Sequence, residues 1–262
     1  MYLTRFRVHT ARPGARRLLS SPQSLHAAVM ASFPHLLPTT AAGAGEEPRV
    51  LWRLDHNANA EVFLYIVSPD QPDLTHLVEQ AGWPAAHNPD TPGWQSRPYT
   101  PFLNRLATGD IWQFRLTANP VHQIRRKEGE PTKRTAHLTP VHQQGWLLDP
   151  NRQERAGFRV LQKPPEQQLL PDGTTHHNHP HHGDRYELTL RDERALSFAK
   201  TRQDTEPAHR VKVVTVTFDG RLEVTDADAL RRTLTHGLGK AKAYGCGLMT
   251  LAPVPMPSAP GK

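Results

Sequence analysis

The chain has 262 residues, 37% of them hydrophobic and 22% charged, enough for one large domain or two small ones and too much for a single peptide-sized module. Its longest useful apolar run, Val62-Phe63-Leu64-Tyr65-Ile66-Val67, falls far short of the roughly 18 residues of a membrane helix, and arginine interrupts the opening segment where a secretory signal needs an unbroken apolar stretch. These features, with Cys246 as the only cysteine, predict a cytoplasmic protein in a reducing compartment, with no intramolecular disulfide and no multi-cysteine zinc site.

Thirty-two Lys and Arg against 25 Asp and Glu leave a net charge of +7, which favours a polyanionic partner, nucleic acid ahead of a membrane surface. The charge is clustered. Residues 115–134 hold Arg115, Arg125, Arg126, Lys127, Lys133 and Arg134 against Glu128 and Glu130, and a second cluster runs from Arg231 to Lys242. A solvated face would show the same composition, so the clusters alone decide little.

In chain order, residues 2–8 read as a strand, followed by a turn at Arg12-Pro13-Gly14. Ser21 can cap a helix over 22–33 with Pro22 at its first position, its apolar face made by Leu25, Ala28, Val29 and Phe33. The runs 50–54 and 61–67 read as a hairpin across Asp55-His56-Asn57. Leu74, Leu77, Val78 and Ala81 make a helix closed by Gly82. Five prolines between 83 and 101 predict an irregular surface excursion, after which 111–118 reads as a strand. Strand, helix, strand, strand, helix, strand is the order of a ferredoxin-like or RNA-recognition-motif unit, predicted here over residues 1–118.

The second half reads as a variation on the same α+β theme over 119–253. It has a helix from Pro140 towards Leu148, strands near 158–161 and 185–190, and a hairpin across Asp219-Gly220 with arms Val211–Phe218 and Arg221–Val224. Asp226 caps a further helix, a last strand covers 247–251, and the proline-rich residues 254–262 read as a disordered tail.

No HExxH, Walker loop, G-x-S-x-G or CxxC is present. The run His176-His177-Asn178-His179-Pro180-His181-His182 has imidazoles enough for a divalent metal but no helix to fix their geometry, and reads as a mobile loop with adventitious affinity. The segment 237–247 is more informative: Gly237 and Gly239 would let backbone N–H groups approach a phosphate, with Lys240 and Lys242 adding charge. A tight helix-to-strand turn is the competing reading. A Rossmann fingerprint fails, because the segment follows a helix near the C-terminus and lacks the downstream acidic residue. His26 falls beside the apolar stripe of its helix, partly accessible, and is one histidine among 16. Metal-free RNA cleavage needs a base for the 2′-hydroxyl, an acid for the 5′-oxygen and donors for the phosphate, and histidine suits the first two.

Three segments together resemble the CasE family of CRISPR repeat-processing endoribonucleases from the type I-E Cascade complex. They are Met1-Tyr2-Leu3-Thr4, Phe114-Arg115-Leu116-Thr117-Ala118-Asn119-Pro120, and the long block from Gly237-Leu238-Gly239-Lys240 to Ala252-Pro253. The resemblance covers nearly the whole chain. It implies two tandem ferredoxin-like domains and a cofactor-free, metal-independent cleavage at the 3′ base of the repeat hairpin, leaving a 2′,3′-cyclic phosphate and a 5′-hydroxyl. It also implies retention of the mature guide RNA and association with other Cascade subunits, and it places the catalytic histidine at His26 within Ser24-Leu25-His26-Ala27.

This chain departs from the family pattern at several positions. Gln23 stands where tyrosine is common three residues before the histidine, and an amide can donate to phosphate but cannot act as an acid. Thr117 replaces a frequent basic residue, Pro150 interrupts the helix that begins at Pro140, and the histidine run has the look of an insertion. The resemblance implies that basic residues of the second domain grip an A-form stem through its phosphates, and charge density makes Arg125, Arg126, Lys127, Lys133 and Arg134 the candidates, with Lys240 and Lys242 on the glycine-rich loop. Tyr2 and Phe6 are open to either base stacking or core packing. The incomplete acid–base set keeps a non-catalytic RNA-binding subunit as the alternative, and a metal-dependent nuclease on the histidine run as a third reading.

Overall fold

The computed structural model describes residues 1–33, 49–83, 87–88, 91–124, 132–170, 173–176, 179–200 and 209–254. The first unit is built from β1 (Tyr2–Val8), α1 (Pro13–Ser20), α2 (Pro22–Met30), β2 (Leu51–His56), β3 (Val62–Ser68), α3 (Thr75–Ala81) and β4 (Trp94–Pro98), with the short helix α4 (Thr100–Arg105) leading out of it. Its antiparallel sheet has the order β2-β3-β1-β4, with Leu3 opposite Val67 and Phe6 opposite Trp94.

The second unit begins with β5 (Ile111–Ala118) and continues through a hairpin of β6 (Val121–Ile124) and β7 (Lys133–Ala136), then α5 (Pro140–Leu148), α6 (Pro150–Ala156) and β8 (Phe158–Val160). It is completed by β9 (Leu188–Lys200), β10 (His209–Val224), α7 (Ala227–His236) and β11 (Met249–Pro253). The central path of its sheet is β8-β10-β5-β11, the same arrangement as in the first unit, with β9 added along β10. Two sheets of second, third, first and fourth strand in that order are two ferredoxin-like units in tandem. Two-residue strands at 87–88 and 91–92, and a pair at Gly173–His176 and His179–His181, lie apart from both sheets.

Several expectations need correction. Strand 111–118 is hydrogen-bonded into the second sheet, so the first unit does not extend to 118; its fourth strand is β4, inside the predicted excursion. Proline at an end of an edge strand forfeits no inward ladder bond, which is why Pro98 is tolerated there. Pro13 opens a helix rather than a turn, and Arg12 just before it donates to the Val78 and Gly82 carbonyls at the end of α3. Pro150 likewise opens α6, with the Asp149 side chain accepting from Arg152 N–H at 2.7 Å.

No hairpin turns at Gly220. β10 runs straight through, and the glycine serves close approach, since a Cβ there would stand 2.3 Å from the Glu187 carbonyl oxygen. Phe6 is core, at 1% exposure, which decides against base stacking. The eight-residue tail beyond Val254 lies outside the described residues.

Candidate active site

Helix α2 is fixed at its start by the Ser21 hydroxyl, which accepts from Ser24 N–H at 3.2 Å, and by Pro22 in the first turn. Leu25 and Val29 are buried against the sheet, and His26, one position round the helix, is left half-buried. Its ring meets the neighbouring strand: the indole N–H of Trp52 donates to His26 Nδ1 at 3.3 Å. Burial holds the His26 pKa below the ordinary histidine value. Gln23 is half-buried one turn earlier.

The glycine-rich segment comes to the same place from the far end of the chain. Its single 3-10 turn, Lys242–Tyr244, packs beside α2 and β2. Gly237, Gly239, Gly245 and Gly247 all have positive φ, and two of them show why a side chain is excluded. A Cβ at Gly237 would stand 2.9 Å from Leu51 Cδ2, and one at Gly245 would stand 2.7 Å from Trp52 Cζ3. The glycines therefore let this segment close onto β2. The phosphate cradle expected of Gly237 is not formed by its own N–H, which caps α7 on the Thr233 carbonyl at 2.9 Å. The Leu238 and Gly247 amides are similarly committed, to the Gly247 and Thr117 carbonyls.

Positive charge is nevertheless concentrated here. Lys240 is exposed and Lys242 half-buried, with its pKa lowered first by burial and then by repulsion from Arg49 and Lys240. Arg49 and Lys240 thus both bring positive charge to bear on Lys242 at this turn. Beside them, a groove is lined by Leu25, Trp52, His56, Thr117, Arg194 and Tyr244. Arg194 Nη1 and His56 Nε2 are 3.0 Å apart, and Phe198 meets Tyr244 edge-on.

Lys133 and Arg134 are exposed on β7 of the separate hairpin, and Arg125, Arg126 and Lys127 lie outside the described residues. In the histidine run, residues 177–178 lie outside them as well. The Arg231 end of the second basic cluster is structural, donating to the Leu103 and Leu106 carbonyls and to Asp228. Sequence reasoning missed Trp52, Arg49, Arg194 and Tyr244; the alternation of Trp52 and Leu54 with Arg53 and Asp55 along β2 was the available signal for the first.

Successive strand residues point to opposite faces, so Arg53 projects away from His26, into the junction of the two sheets. A cleft of about 900 Å³ opens there, lined by residues including Leu3, Tyr65, Gln113 and Arg221. Arg53 is only 1% exposed and donates to both Asp55 oxygens, to the Arg115 and Leu248 carbonyls and to Thr250 Oγ1. Arg115 in turn bridges Asp55 and Asp219. The site on the His26 side is thus held by an ionic tie on the other.

Comparison with known proteins adds the lineage of this arrangement. The family model described as CRISPR associated protein matches residues 1–253. The chain belongs to that family. This CRISPR-associated protein is 30% identical over 256 residues, 97% of its length and all of the relative's, to the CRISPR-associated endoribonuclease Cse3 of Thermus thermophilus. A 43-residue stretch, 16% of this chain and 22% of the relative, is 49% identical to the CRISPR system Cascade subunit CasE of Escherichia coli. Among solved structures, the CRISPR endoribonuclease Cse3 bound to a 19-nucleotide RNA superposes with a TM-score of 0.65 at 26% identity, covering 97% of this chain and 100% of that one.

Proposed function

We propose that this chain is an endoribonuclease that processes CRISPR repeat RNA, with His26 as the catalytic histidine. The observation that carries the reading is the packing of α2, the helix that bears His26, against the Lys242–Tyr244 turn across the junction of two ferredoxin-like units. Residues more than 200 positions apart are brought together there, an accessible imidazole on one side and an anion-attracting surface on the other. The similarity to an endoribonuclease along the whole chain points the same way.

The reaction needs no water. The 2′-oxygen forms a bond to the adjacent phosphorus as the P–O5′ bond breaks, and the proton lost by the 2′-hydroxyl is matched by the one gained by the 5′-oxygen. A 2′,3′-cyclic phosphate and a 5′-hydroxyl result, and neither metal nor cofactor is drawn on. Lys240 and Lys242 attract the backbone at the site, while Arg125, Arg126, Lys127, Lys133 and Arg134 grip the hairpin stem through its phosphates. Gln23, unable to act as an acid, serves as an amide donor. The protein works in the cytoplasm, keeps its product as mature guide RNA and associates with other Cascade subunits. We place the working boundary between the two domains in the segment leading into β5.

The test is cleavage of the host's own repeat RNA in excess EDTA by wild type and His26→Ala, with the product 3′ end analysed. A cyclic phosphate from wild type alone is expected. Tight binding without cleavage would make this an RNA-binding subunit, and activity that vanishes with chelator would transfer the chemistry to a metal.

A further inference from the structure

We infer that Trp52 is the positioning residue of His26, fixing the imidazole so that Nδ1 is an acceptor inside the protein and Nε2 carries the hydrogen presented to RNA. This rests on His26 being the active-site histidine. An indole nitrogen has a hydrogen to give and no lone pair to offer, so the nitrogen 3.3 Å from it must be unprotonated. In a neutral imidazole the remaining hydrogen is then on Nε2.

The donor cannot easily turn away. Trp52 is 2% exposed, its neighbours in the core include Leu25 on α2, and Gly245 closes against its ring from the opposite end of the sequence. The same indole therefore seats both the imidazole and the cationic turn, and holds them in a fixed relation.

A chemical preference follows. With Nδ1 occupied, Nε2 donates to a phosphate or leaving-group oxygen. Taking the 2′-hydroxyl proton at Nε2 would need the opposite tautomer, whose Nδ1–H would point at the indole N–H. The imidazolium carries the same Nδ1–H, so the contact also favours the neutral ring. The titratable and charged groups on the elements packed against α2 are Arg16 and Arg17 on α1, Arg53, Asp55 and His56 on β2, Lys242 and Tyr244 on the 3-10 turn, and Glu79 and His76 of α3, the last with its Nε2 3.0 Å from the Ala28 carbonyl oxygen. None of them places an acceptor on Nδ1 in competition with the indole.

The experiment is long-range ¹H–¹⁵N NMR of the histidine rings in the full chain, using His26→Ala for assignment, on wild type and Trp52→Phe. Wild type at neutral pH is expected to show a bare Nδ1 and a protonated Nε2 on His26. Trp52→Phe keeps an aromatic ring beneath Gly245 but lacks the N–H, so its His26 should show mixed tautomers and a higher titration midpoint. Single-turnover cleavage of repeat RNA at saturation is expected to fall about tenfold with RNA affinity unchanged, and the pH–rate midpoint to move up in parallel. A protonated Nδ1 in wild type overturns the inference, without any variant needing to fold. So does a Trp52→Phe protein whose tautomer and midpoint stay where they were. If wild type fails to cleave at all, the functional reading falls, while the tautomer is still read directly.

Discussion

Gly245 lies against the indole of Trp52 so closely that even one added methyl group would stand 2.7 Å from Cζ3, at a backbone φ of +80° that disfavours any side chain. Gly245→Ala is therefore expected to push the 3-10 turn off β2. Both the strain and the lost packing act in the same direction, and a destabilisation of about 1–3 kcal/mol in urea melts is expected. RNA cleavage should suffer more than stability does, because the displaced turn carries Lys242.

Lys242 is half-buried and feels the positive charge of Arg49 and Lys240, a repulsion that phosphates bound there as proposed would relieve. Lys242→Met is expected to raise the urea midpoint of the RNA-free protein while weakening binding to repeat RNA. The slope of log affinity against log salt should fall by about one. A mutant weakened in both respects would show the lysine to be a structural cation.

Removing Arg53 leaves Asp55 buried against Arg115 alone and takes the guanidinium donor from two carbonyls. Arg53→Ala is expected to cost about 3–5 kcal/mol in denaturant unfolding. Burial works to raise the Asp55 pKa, but Arg53 and Arg115 outweigh it and hold the carboxyl below its ordinary value. The stability this confers is present above the unfolded carboxylate pKa of about 4 and is lost as pH falls through the folded one. The mutant should lose that part of the acid transition.

His26 and His56 carry depressed pKa values, His26 by burial and His56 by burial and then by Arg194. A histidine depressed in the folded state is more readily protonated when the chain unfolds. Its contribution is unfavourable to folding below the unfolded pKa, about 6.5, and disappears above it. Stability should therefore decline between neutral pH and about pH 5, and His56→Gln should flatten that decline in urea titrations.

Cys246 is fully enclosed, and burial pushes its thiol pKa up to about 12. Alkylating reagents are expected to leave it unmodified in the folded protein at neutral pH and to label it once denaturant unfolds the chain. Rapid labelling under native conditions would mean that the last glycines open locally.

Much of this architecture is written in short-range patterns. Ser21-Pro22 announced α2, Asp226 announced α7, and the β-prone runs at 2–8, 50–54 and 61–67 announced three strands of the first sheet. The failures share a cause, since proline and glycine were given local meanings that tertiary contacts changed. Gly14 reads as part of a turn, yet it is needed because a Cβ there would strike the Gln80 carbonyl at 2.3 Å as α1 crosses α3. Gly220 reads as a hairpin and is a flat residue within a sixteen-residue strand. At the site, helix periodicity marked His26 as accessible, but the indole that reaches it comes from a strand with a different period. Charge counting found Lys240 and Lys242 without revealing that Arg49 faces the same cluster, because chain distance hides that neighbour.

The Arg53 tie has a bearing on how RNA is met. A guanidinium enclosed between two sheets, bonded to carbonyls and a carboxylate from both, does not permit the halves to swing apart without exposing an unpaired charge. On the proposed reading, a tie of this kind leaves adaptation on encounter to the nucleic acid. A repeat whose stem is already closed arrives with its shape prepared, whereas an unpaired transcript of the same sequence must first fold, so the proposed function predicts faster cleavage of the pre-formed hairpin in a single-turnover comparison of the two.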